Sequence, residues 1–359
     1  MPSKNTNSDW FDNQNIYVGL DVHKKQWTVS IYTDEFEHKT FVQPPSAEPL
    51  FNYLKRNFPG AHYHSAYEAG FCGYTPHREL CTLGIENMVI NAADIPSSGK
   101  EKYTKTDGID SRKIARALRA GNLKPIHVFE PNQEEIRTLS RVRFMLVKDH
   151  RKCKNRIKSL LMYYSLHIPE EYDNNNWSLA FLDWIKNIQM NTDAGKVALD
   201  ALLLDYQTKH LQILDISKKL RRLIKQYNNH QYMLLRSIPG IGPLTAIALI
   251  VEIGDINRFK HLKHLSSFVG LVPYMRQSDE NEFASGIHFR CNSYLRPLII
   301  ESAWMAVRSD PALLCYYQHH IVNSKPSKVI IKVARKLLNR VRFVMKNNVK
   351  YELNKHEII

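Results

Sequence analysis

Short apolar runs separated by polar turns open the chain. Tyr17 to Leu20 and Trp27 to Tyr32 are two of them, divided by His23-Lys24-Lys25-Gln26, and this pattern predicts strand, turn, strand. His38 to Val42 predicts a third strand. After Pro44-Pro45, residues 47 to 57 carry helical spacing and are stopped by Phe58-Pro59-Gly60. His62 to Glu68 and Glu86 to Asn91 read as strands flanking a helix near Thr75 to Leu83. Hairpin strands followed by strands alternating with helices predict an α/β domain, a mixed sheet with helical layers.

From about Pro131 to Asn229 the pattern becomes helical and nearly free of glycine, an elongated arm interrupted by a loop around Tyr172 to Trp177. From about Tyr232 the chain is compact again, with apolar helices and glycine turns. Ile238-Pro239-Gly240-Ile241-Gly242-Pro243 sets a glycine hairpin between two apolar helical segments, similar to a helix-hairpin-helix. The predicted organisation is a disordered segment over 1–15, a sheet domain over 16–128, a helical arm over 129–230 and a mainly helical domain with a basic tail over 231–350.

Charge adds a partner to this picture. Fifty Lys and Arg against 35 Asp and Glu give a net charge of +15, which favours a polyanion through counterion release. Between Arg137 and Lys158 there are nine basic residues and one acid, Asp149; from Lys325 to Lys350 there are nine basic residues and no acid. The first stretch faces nucleic acid or packs as a solvated helix on a partner arm, and the second grips phosphates or caps its domain. No run reaches the ~18 apolar residues of a membrane span, and the polar N-terminus shows no targeting segment. Five scattered cysteines without a CxxC pair give neither a zinc knuckle nor a disulfide framework, and read as reduced thiols of a cytoplasmic protein. The glycine hairpin lacks the GK[ST] of a nucleotide-binding loop; Gly240 and Gly242 offer backbone N–H groups to phosphate or make a structural turn.

Four carboxylates stand out. Asp21 closes the strand Tyr17-Val18-Gly19-Leu20, and Glu68 closes His64-Ser65-Ala66-Tyr67. Asp107 and Asp110 are three apart at the start of a helix running to about Arg119, hence on one face. Singly each has an ordinary explanation as turn residue, strand end or helix cap. Together they are the kind of set that two-metal phosphoryl chemistry requires.

At these residues the sequence resembles a known family. Tyr17-Val18-Gly19-Leu20-Asp21-Val22-His23-Lys24, Tyr67-Glu68-Ala69-Gly70 and Lys105-Thr106-Asp107-Gly108-Ile109-Asp110-Ser111 are similar, in order, to the Asp-Glu-Asp-Asp motifs of the one-ten family of bacterial insertion-sequence transposases, the bridge-RNA-guided recombinases. The resemblance runs from about residue 15 to 320. It implies an RNase H-like, RuvC-like first domain, a coiled-coil arm and a C-terminal domain supplying a serine nucleophile. Asp21, Glu68, Asp107 and Asp110 would then hold magnesium, with Lys24, Lys105 and Arg296 as nucleic-acid contacts. Gly270-Leu271-Val272-Pro273, Asn292-Ser293-Tyr294-Leu295-Arg296 and Ser309-Asp310-Pro311-Ala312-Leu313 resemble landmarks of its last domain, and counting between the first two places Ser278 at the nucleophile. The family usually reads Ser-Ser-Gly there, whereas this chain reads Gln277-Ser278-Asp279; Ser285, followed by Gly286, therefore competes. The partners implied are donor and target DNA, a structured noncoding RNA, and further copies of the chain as dimers pairing into tetramers, acting at the nucleoid. Two other functions suit the residues: a metal-dependent junction nuclease in which water attacks, and a non-catalytic DNA-binding protein.

Overall fold

The computed structural model describes residues 11–95, 107–174, 176–278, 281–287 and 291–353, with the strands of 273–287 described by their backbone. The chain divides into two compact units with the boundary between Val128 and Phe129.

The first unit is built on β1 (Asn15–Val22), β2 (Trp27–Tyr32), β3 (Glu37–Gln43), α1 (Ala47–Asn57), β4 (His62–Glu68), α2 (Thr75–Thr82), β5 (Glu86–Ile90) and α3 (Asp107–Arg119). Among the described residues its strands form one five-stranded sheet in the order β3-β2-β1-β4-β5. β1, β2 and β3 pair antiparallel, while β4 lies parallel to β1 and β5 parallel to β4. The sheet is therefore mixed, as the alternation of hairpins and helices predicts. Order begins before residue 16: Phe11 packs edge-on against Phe58, with ring centroids 5.0 Å apart.

The two faces of β1 are covered differently. Ile16, Val18 and Leu20, alternating as a strand requires, pack with Leu50, Leu54 and Phe58 beneath α1. On the other face α3 buries Ile114, Ala117 and Leu118 against Ala66 and Ile90. Gly19 makes this second contact possible: a Cβ there would lie 2.0 Å from the carbonyl oxygen of Ser111 and 2.4 Å from the amide of Ala115. Helix α3 thus rests backbone on backbone across the central strand. A buried hydroxyl pair fixes its rotation, Ser30 Oγ to Ser111 Oγ at 2.8 Å, and Arg112 reaches Glu37 at 3.0 Å and Thr40 at 3.1 Å on β3.

The second unit contains α4 (Pro131–Tyr163), α5 (Leu179–Asn187), α6 (Asp193–Arg236), α7 (Pro243–Ile253), α8 (Leu262–Val269), the hairpin β6 (Pro273–Ser278) and β7 (Asn281–Ile287), α9 (Leu295–Ser309), α10 (Pro311–Ile321) and α11 (Pro326–Asn347). Helices α4 and α6 run antiparallel along one another: Gln133 meets Tyr227, Arg143 meets Ser217, and Cys153 meets Asp205. At the far end α5 closes the pair, burying Phe181 and Ile185 on Ile157, Leu161, Leu199 and Leu203. Helix α6 breaks at Asn228, whose backbone leaves helical geometry and whose side chain accepts from Gln231 N at 3.1 Å to start a new turn. The apolar face of α11 is core throughout, from Val329 to Met345, so the basic tail does cap its domain. The β6–β7 hairpin is an addition to the mainly helical pattern expected there.

Candidate metal centre

The site grows from the period of two along β1. Asp21 lies two residues beyond Gly19 and so shares the face on which α3 packs; Gly19 in turn brings the N-terminus of α3 down to that face. In the neighbouring parallel strand Leu20 pairs with Tyr67, which puts Glu68 one step further at the matching strand end. His23 follows Asp21 at the same period, in a turn closed by its own N–H donating to the carbonyl of Gln26 at 3.1 Å.

Among the described residues, Asp21, His23 and Asp107 bring one ligand atom each within 4.8 Å of one another. His23 Nε2 lies 3.3 Å from Asp21 Oδ2 and 3.8 Å from Asp107 Oδ1. Asp110, one turn along α3, stands 3.3 Å from the ammonium of Lys113. Burial pushes the Asp21 carboxyl above its usual range; His23 pulls the other way, while the charges of Asp107 and Asp110 push it further up. A cation among these oxygens would offset that repulsion, and hard carboxylate oxygens are donors that divalent ions of the magnesium and manganese class accept. The residues present thus suit such an ion.

The four acids are not equally close. Asp21 and Asp107 meet, Asp110 acts on Asp21 through its charge, and Glu68 sits exposed at the adjoining strand end, outside the close group. Lys24 is exposed in the turn beside His23; Lys105 lies outside the described residues. Ser278 is the last residue of β6, opposite Asn281 at the hairpin end, whereas Ser285 falls within β7. Gly240 has φ +86°, and a Cβ there would meet the carbonyl of Ser302 at 2.5 Å, so its glycine is demanded by packing on α9. Gly242 caps α7 with open space around it. The guanidinium of Arg296 lies against Gly270, where a Cβ would come within 2.4 Å of it; it packs on the backbone of its own unit.

Two residues escaped the sequence. His23 had a signal, its spacing of two from Asp21. Glu252 had none: in the apolar helix α7, 1% exposed, it accepts from Arg141 at 2.7 and 2.8 Å, Arg137 at 3.0 Å and Asn292 at 2.8 Å. Burial alone would raise its carboxyl, but the two guanidiniums and the amide outweigh it and hold the group below its ordinary range. Two of the nine basic residues of the arm's first half are therefore committed internally and not to a polyanion. Asn292 also caps α9, accepting from Tyr294 N and Leu295 N at 3.0 Å, and Asp310 caps α10 while pairing with Arg340.

The described residues include no helix long and apolar enough to cross a membrane. Residues 18–165 match the sequence model of a DEDD transposase family, and residues 232–318 match that of the transposase IS116/IS110/IS902 family. The chain is 26% identical to a putative transposase of Sinorhizobium fredii over 79% of its own length and 69% of that protein. It is 28% identical to the transposase for insertion sequence element IS1111A of Coxiella burnetii, over 66% of this chain and 64% of that one. A pilin gene-inverting protein of Moraxella bovis is 34% identical over 36% of this chain and 41% of its own. The DEDD match points to dependence on a divalent metal, in keeping with the acids gathered at the end of β1. With both its carboxylate-bearing sheet unit and its helical unit matched, the chain belongs to the IS116/IS110/IS902 family of insertion-sequence transposases, enzymes of DNA recombination.

Proposed function

We propose that the chain cuts and exchanges DNA strands through a covalent phosphoserine, with Asp21, Glu68, Asp107 and Asp110 holding magnesium in a RuvC-like, RNase H-like domain and Ser278 as nucleophile. The observation that carries this is the meeting of Asp21 and Asp107, brought about by the backbone contact at Gly19. The strand order 3-2-1-4-5, with two antiparallel pairings on one side of β1 and two parallel pairings on the other, supports that reading of the domain.

A serine hydroxyl is a weak nucleophile until a base or a metal activates it. Divalent ions in such a site offset charge on the phosphate oxygens and favour the alkoxide. Ser278 Oγ forms a bond to the scissile phosphorus, the bond to the 3′ oxygen breaks, and the serine proton leaves with the new 3′-hydroxyl. A 3′-hydroxyl of the exchange partner reverses these steps, so the phosphodiester energy is kept. Lys113 holds Asp110 in place meanwhile.

Guidance by a structured RNA from the element, reading donor and target DNA, is the partner we propose from the resemblance and the excess of positive charge. Pairing with a second copy has support on α6. Val197, Leu204 and Leu211, seven residues apart, are 64–67% exposed, the repeat of a coiled-coil seam with no helix against it among the described residues.

Trapping on a nicked suicide DNA duplex tests the chemistry. The wild-type chain, supplied with magnesium and its copurifying RNA, should form a protein–DNA adduct, and Ser278→Ala should form none. An adduct that survives in Ser278→Ala moves the nucleophile to Ser285 or elsewhere. Cleavage with no adduct in either protein means that water attacks, as in a junction nuclease.

A further inference from the structure

We infer that His23 is a third ligand of the ion held between Asp21 and Asp107, so that this position has a nitrogen donor and favours manganese over magnesium. The inference rests on the metal reading above and adds a residue that lies outside the four acids.

The imidazole stands close enough to both carboxylates to share a cation with them. Nε2 makes a long hydrogen bond of 3.3 Å to Asp21, against about 2.7–2.9 Å for charge-assisted pairs, and stands 3.8 Å from Asp107, beyond hydrogen-bond reach. Ligands about 2.1–2.2 Å from a common ion sit roughly 3.0 Å apart when adjacent and 4.3 Å apart when opposite, from the bond lengths of such centres. Both distances fall inside that interval. In addition, one nitrogen faces two carboxylates, and a single N–H cannot serve both; a shared cation can.

The backbone holds His23 there. Its spacing from Asp21 keeps the ring on the α3 face, and the turn bond to Gln26 together with the Val22–Trp27 pair fixes the hairpin end. The ring is 45% exposed, so its approach costs little desolvation. Magnesium keeps to oxygen ligands and water, whereas imidazole adds affinity for first-row transition ions. Adding one imidazole to the carboxylates therefore separates the two ions where carboxylates alone would not.

Manganese itself is the probe. It is added to the full-length chain, bound ion is counted by electron paramagnetic resonance, and the ¹⁴N modulation of its spin echo reports a directly bonded nitrogen. Wild type should show that modulation and His23→Ala should lose it. The same variant should bind manganese at least about tenfold more weakly, with magnesium affinity, measured by competition, changed less than about twofold. His23→Gln, which keeps the turn polar, should also lack the nitrogen signal. Manganese that is lost in Asp21→Asn but shows no nitrogen in wild type removes His23 from the ligand set and leaves the metal centre standing. Manganese binding that Asp21→Asn does not weaken overturns the centre and the inference together.

Discussion

The two units handle carboxylates in opposite ways. In the sheet unit, three acids converge at the end of β1 with one imidazole and one ammonium to balance them, and Asp21 is pushed toward its neutral form. In the helical unit, Glu252 is alone, buried, and met by two guanidiniums and an amide, and it is held ionised. A buried acid whose lone pairs are all answered is part of the scaffold. Acids gathered without matching cations store repulsion that a ligand relieves, which is how a site differs from a core even when the residue type is the same.

Exchanging the roles is the strongest way to break this contrast. Asp21→Asn should reduce strand cleavage by about ten-thousandfold, about 5 kcal/mol of lost transition-state stabilisation, while the thermal midpoint stays level or rises. A lowered midpoint would make Asp21 structural.

Glu252→Ala should do the reverse, costing about 3 kcal/mol by leaving the half-buried Arg137 and Arg141 without their anion; chemical unfolding measures it. Its pH dependence sharpens the point. A carboxyl held below its ordinary range contributes stability that is present above that range and lost as pH falls through the folded value. Wild-type stability should thus drop below about pH 4, and Glu252→Gln should flatten that drop; an unchanged acid limb would mean other carboxylates carry it.

The smallest effect is at Gly19. Gly19→Ala forces α3 away from β1, at about 1–3 kcal/mol for an overpacked contact, and moves Asp107 with it. Cleavage should fall at temperatures where circular dichroism shows the chain still folded. Full activity in that variant would separate the site from the helix contact on which it is built.

Much of this was legible in the sequence. The strands and helices of the sheet unit follow directly from period two, period 3.6 and the turn residues, and Asp21, Glu68, Asp107 and Asp110 were found by their place at element ends. Periodicity could not show that β1 and β4 are neighbours, because pairing is set by packing between distant segments. Nor could it see Glu252, since an acid within nine apolar helix positions looks like an interruption until Arg137 and Arg141, more than a hundred residues earlier, are placed beside it. The basic stretch of the arm left two readings open for the same reason: net charge does not tell which cations are already bound within the fold. The β6–β7 hairpin was missed because Tyr274 to Ile287 mixes polar and apolar residues without clean alternation.

Helix α4 carries one more consequence. It has 33 residues, no glycine and a proline only at its first position, and its root is clamped by Arg137 and Arg141 on Glu252. At 1.5 Å per residue it is a spar about 50 Å long, while its companion α6 is jointed at Asn228. From that clamp to its tip the helix runs about 36 Å, so tilting it there by about 10° sweeps the tip through about 6 Å, and a small rearrangement around one buried glutamate is magnified at the far end into a displacement of nearly two base-pair steps.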